Sequence, residues 1–292
     1  MSTFAQETEV TPADDGRWTC WLTDAWSIDG TPNGGYAISP VLRVLQQATG
    51  HPDPLSMTAH FLRPAIEGAA GVVRAEVLRP GRSVSTATAT LEQGGRDRLV
   101  VLGAFGSLEN LAASADPAIA HSSGRGDEPA PPPLAHPDEC VPATALEGST
   151  PVTIHSRVEV RLDPSCATPG GSSEARLVGW VRLTDDADPD VMTLPLICDA
   201  LPPALYARLG RFGWVPTIEL TVQVRRRPAP GWLRVELHCD DAAGGSMIES
   251  GTLWDSTDRV VARSRQLGLL RGRPAAPPEA PPPHPPAGPQ SA

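Results

Sequence analysis

Residues 193–205, TLPLICDALPPAL, form an apolar run broken by one carboxylate, Asp199, whose nearest basic residues are Arg182 and Arg208. A charge in such surroundings is costly unless a partner pairs with it or a reaction uses it. Desolvation also raises the proton affinity of a carboxyl group, which would suit Asp199 to work as a general base. The competing reading is a helix cap, or an acid bonded to backbone amides ahead of the Pro202-Pro203 stop. Asn33-Gly34-Gly35-Tyr36 opens a helix, where free N–H groups and the dipole favour an anion and glycine permits close approach of a carbonyl. A plain helix start has the same sequence. Arg225-Arg226-Arg227 would suit bidentate phosphate contacts, or would serve as a solvated strand end. Cys198 adjoins Asp199, but no His stands nearby in sequence to activate it, so it reads as a buried structural thiol. His60, mid-strand in SMTAHFLRP, either lines a pocket or is bonded within its sheet.

The remaining chemistry-bearing residues form no pattern. Seven histidines are scattered without an HxxxH or HExxH pair, and five cysteines without CxxC spacing. The expectation is reduced thiols, with no disulfide framework, metal site or cofactor. A net charge of −10 over 292 residues argues against non-specific binding to nucleic acid or anionic membrane. The start MSTFAQETEV is polar and acidic, unlike a signal peptide, and no apolar run is long enough to span a membrane. These features predict a soluble, cytoplasmic protein.

The elements that must position these residues fall into two blocks. Residues 114–144 are rich in Pro, Ala, Ser and Gly, as is the tail 273–292, and both read as unfolded. That leaves folded units over 1–113 and 145–272. Three turn landmarks recur at one spacing of 164 residues: Pro64 and Pro228, Gly81 and Gly245, Gly94 and Asp258. This predicts a duplicated unit of one helix followed by long antiparallel strands. In the first, GYAISPVLRVLQQATG has apolar positions 38, 41, 42 and 45 at helical spacing, with Pro40 in its first turn. In the second, the helix starts near Asp188 or Asp190 and is stopped or kinked at Pro202-Pro203. Strands such as SVSTATATLEQ alternate cleanly. The fold class is α+β.

PNGGYAISPVLRVLQQA and AHFLRP in the first block, with CDALPPALYARLGRFGWVPTIELTVQVR and GTLWDSTDRVVARSRQLGLL in the second, resemble the acyl-CoA thioesterase II (TesB-like) family. The resemblance covers most of the chain outside linker and tail, and it implies a double hotdog fold. In that family an Asp, a Thr opening a strand and a Gln near the last strand's end hold the water that attacks the thioester. The matching positions are Asp199, Thr217 in PTIELTV and Gln266 in SRQLGLL, with Thr221 as a fallback. Asn33-Gly34-Gly35 matches the family's glycine pair. With Tyr36, these residues are the expected substrate-binding stretch, the Gly35 and Tyr36 amides serving as oxyanion donors.

The implied activity is hydrolysis of a fatty or related acyl-CoA in lipid metabolism, without a covalent nucleophile. The first block's helix has no acid between Tyr36 and Gly50, and the 164-residue spacing sets Leu102 against Gln266. One active site per chain is therefore expected. Two alternatives stand beside it: a non-catalytic acyl-binding hotdog protein, and a hydratase or dehydratase, which would need a catalytic His. Hotdog units often associate further, so a homodimer is left open.

Overall fold

The computed structural model describes residues 2–115, 128–146 and 152–272. In the first unit, β2 (Asp53–Phe61), β3 (Ala69–Arg79), β4 (Val84–Gln93) and β5 (Arg96–Gly106) lie in spatial order β3-β4-β5-β2. The second unit mirrors that order as β8-β11-β10-β9, with β8 (Thr217–Val224), β9 (Leu233–Ala243), β10 (Ser246–Trp254) and β11 (Val260–Leu269). β2 pairs antiparallel with β8, so both units share one thirteen-stranded sheet. Thr58 and Thr221 face each other at the centre of that pair, hydroxyls 2.8 Å apart, and mark an approximate twofold axis. β1 (Trp18–Leu22) flanks β3 as β7 (Arg176–Leu183) flanks β9, and β6 (Val158–Leu162) lies outside β7. One of the turn landmarks matches in backbone conformation as well as in spacing. Gly94 and Asp258 both adopt the left-handed conformation, with φ of 59° and 63°, at corresponding hairpins.

α1 (Thr3–Glu7) buries Phe4 and ties the chain's start to the second unit, because Glu7 pairs with Arg157 at 2.8 Å. α2 (Gly34–Thr49) is the first unit's central helix. Asn33 caps it by accepting from the Tyr36 amide at 3.0 Å, and Gly50 closes it with φ of 69°. Pro40 lies in the second turn rather than the first, so it has no N–H for the Tyr36 carbonyl. Packing compensates. Residues 35–42, Val44 and Leu45 are all buried, and the helix lies against β3, β4 and β5. Truncating one of these, such as Leu42→Ala, would cost about 2–5 kcal/mol.

The second unit's helix is shorter than expected. α3 (Leu194–Cys198) covers only its end, because Asp190 instead ties a turn, its Oδ1 accepting from the Met192 and Thr193 amides. Pro202-Pro203 separates α3 from α4 (Leu205–Leu209), as the sequence predicts. Residues 128–144, expected to be unfolded, pack on the second unit instead. Glu128 is clamped by Arg226 and Arg259, and the indoles of Trp254 and Trp180 donate to the carbonyls of Pro129 and Ala135. Composition hid this because the anchors are backbone carbonyls, which proline retains. The proline-rich tail lies outside the described residues.

Candidate active site

α2 and α3 cross where α2 begins. A methyl group on Gly35 would lie 2.6 Å from the Leu196 Cα, so the crossing requires glycine. This contact carries Asp199, the C-cap of α3, to the start of α2. Its Oδ2 accepts from Asn33 Nδ2 at 2.9 Å and from the Gly35 amide at 3.0 Å, and the Gly34 amide also bonds to the carboxyl. Asn33 Nδ2 donates to the Asp199 carbonyl as well, at 2.8 Å. Burial outweighs these donors and pushes the carboxyl up to about 6. Asp199 thus unites both readings of the sequence, a helix cap that is also a desolvated, raised acid.

Gly34 also adjoins Phe61, whose ring edge lies 2.9 Å from the place a Gly34 methyl would take. Phe61 ends β2, on the inner face with Met57 and Ala59, next to the start of β8. A β-bulge at Ile218 follows Thr217, which pairs with Gly268 while Glu219 pairs with Leu267. Gly268 and Gln266 share a face of β11, and opposed residues share a face, so the bulge turns Thr217 inward. Gln266 faces Leu220, also inward, and α3 packs on β8, β10 and β11. Thr217 and Gln266 therefore share the inner face of the sheet on which α3, with Asp199 at its end, packs. Thr221 is excluded as the fallback: it points outward and bonds to Thr58 and Glu219. His60 is also outward and exposed, opposite Glu219, and lines no inner pocket.

The mirror-related place in the first unit carries none of these groups. The ladder makes Pro54 the mate of Thr217, with a matching bulge at Leu55. Gly103, one residue from the position the turn spacing indicates, is the mate of Gln266. A side chain there would strike the Phe105 ring, 2.8 Å from a methyl group on Gly103.

Other expectations change. The Gly35 and Tyr36 amides are not free for an oxyanion, since the first binds Asp199 and the second Asn33 Oδ1. The Tyr36 ring is fully buried, stacked on Trp26, with its hydroxyl donating to the Glu7 carbonyl. Tyr36 is therefore a core residue. Arg226 pairs with Glu128, and Arg227 with the buried Asp53 at 2.6 Å. Both stand beyond Val224, past the end of β8 opposite Thr217. Cys198 is buried with its thiol pushed up to about 12, as expected of a structural cysteine.

One inward acid escaped the sequence reading. Glu249 on β10 lies opposite Gln266, is 4 % exposed, and accepts from the Ala204 amide at 2.6 Å. Its strand, SMIESGTLW, places apolar residues on both alternating faces, so periodicity does not reveal which way Glu249 points. Pairing the hairpin across the turn before Arg259 would have set it against Gln266.

The chain matches the acyl-CoA thioesterase N-terminal domain over residues 22–108 and the C-terminal domain over 137–270. A candidate thioesterase II from Thermobifida fusca is 30% identical, with a TM-score of 0.78, over 92% of this chain and 97% of that one. A hot dog fold protein of unknown function from Alicyclobacillus acidocaldarius superposes equally well, with a TM-score of 0.78 at 21% identity, over 94% of this chain and 99% of its own. An uncharacterised Mycobacterium tuberculosis protein is 27% identical over 85% of this chain and 89% of its own length. The mirrored two-unit sheet and these matches agree: the chain is a double-hotdog thioester hydrolase and belongs to the acyl-CoA thioesterase family.

Proposed function

We propose that this protein hydrolyses the thioester of a fatty or related acyl-CoA by direct attack of a water that Asp199 deprotonates. The observation that carries this reading is the placement of Asp199: a desolvated carboxyl held by both units, above the face onto which the bulge turns Thr217 beside Gln266. Thr217 and Gln266 orient the water. Asp199 takes its proton as the oxygen–carbon bond forms. The Gly34 and Gly35 amides are spent on fixing Asp199, so the Gln266 carboxamide is the donor that meets the developing oxyanion. Collapse breaks the carbon–sulfur bond, and the leaving thiolate recovers the proton from Asp199.

A hydratase is disfavoured because His60, the strand histidine, lies on the outer face, away from Asp199. The test is a panel of acyl-CoAs incubated with the protein and a thiol reagent. Thioester hydrolysis releases one free CoA thiol per acid formed. A hydratase alters the acyl group without releasing thiol, and a binding protein does neither; either result overturns the reading.

A further inference from the structure

We propose that Glu249 is a positioning residue of the thioesterase site, its carboxylic acid O–H donating to the side-chain carbonyl of Gln266 so that the carboxamide N–H points at the thioester. Glu249 and Gln266 are directly opposed on β10 and β11 and share the inner face, where Cβ atoms stand ~4.5–5.5 Å apart. One carboxyl oxygen, Oε2, is fixed by the Ala204 amide at 2.6 Å, at the start of α4, which leaves the other oxygen to carry the proton. A carboxamide without such a partner presents oxygen or nitrogen with little preference. The mirror-related place lacks both members together: Gly103 stands for Gln266 and Ala87 for Glu249.

The surroundings favour the neutral acid. Asp199 from the end of α3 and Asp240 from β9 both oppose a negative charge on Glu249. Cys239, directly opposite on β9, is itself buried and raised. Arg208 on α4 acts on Cys239, and among the described residues no cation is paired with Glu249. Burial pushes Glu249 up to about 8, above Asp199 at about 6. Two carboxyls in one dry site thus divide the roles, one ionised as base and one protonated as donor.

This inference rests on the thioesterase reading, so the test compares pH profiles of kcat/KM for the wild type, Glu249→Gln and Glu249→Leu with one acyl-CoA. The wild-type rate should fall above pH about 8, when Glu249 loses its proton. Glu249→Gln, whose amide still donates, should lose that falling limb and exceed Glu249→Leu by about tenfold or more at pH 7. A falling limb unchanged in Glu249→Gln, or a Glu249→Leu variant as fast as wild type, overturns the proposal while leaving the thioesterase intact. A wild type that releases no CoA overturns the reading beneath both. Should Glu249→Leu fail to fold by circular dichroism, the limb in Glu249→Gln decides alone.

Discussion

Asp199 is unstable in its ionised form for the same reason that it is basic. Its carboxyl binds a proton up to about pH 6 in the folded chain but only to about 4 when solvated, so the native state holds the extra proton between those values. Folding stability therefore declines as pH rises through that window and stays lowered above it. Asp199→Asn, which keeps an acceptor for the Gly35 amide, should gain about 1–3 kcal/mol at pH 7.5 and little at pH 4. Denaturant unfolding at the two pH values measures this, and equal shifts at both would contradict it. Gly35→Ala should do the opposite, costing about 1–3 kcal/mol and more than tenfold in kcat as the helices part and Asp199 leaves its donors. Asp199 was legible because an acid in an apolar run is conspicuous. Glu249 was not, since a strand with apolar residues on both faces leaves its direction open.

At the scale of elements, the bulge at Ile218 decides which threonine faces the site. Thr217→Val should lower kcat about tenfold with little change in stability, whereas Thr221→Val, on the outer face, should leave kcat within about twofold. Equal losses in both would mean that β8 pairs in another register. A bulge leaves no mark in composition, so the inward turn of Thr217 could be taken only from resemblance. The helices were legible to different degrees. α2 follows its apolar spacing from cap to Gly50, while α3 shrinks to five residues because Asp190 spends its carboxylate on a turn. The packed stretch 128–144 was missed for a related reason: its contacts are made by carbonyls and by Glu128, not by an apolar pattern.

The whole molecule is a duplication, and the polar groups of the proposed site stand in one of its two related places. Turn landmarks carried that symmetry in the sequence, since tight turns favour residues that tolerate a left-handed backbone, as at Gly94, Asp258 and Gly245, whatever the strands between them contain. The sheet's continuity through Thr58 and Thr221 was not legible, because pairing between units depends on which edges are left open after each folds. Pro54, Gly103 and Ala87 in place of Thr217, Gln266 and Glu249 predict one active site per chain. Titration with a tight, non-hydrolysable acyl-CoA analogue should give one equivalent bound, and two would refute the asymmetry. The central claim, that Asp199 activates the water, is tested most directly by the pH dependence of kcat/KM in wild type and Asp199→Asn. The wild-type rate should rise tenfold per unit up to pH about 6 and then hold level until the fall above pH about 8. Asp199→Asn, folded, should be slower by roughly a hundredfold and lack that limb. A variant that keeps both the rate and the limb would contradict the account.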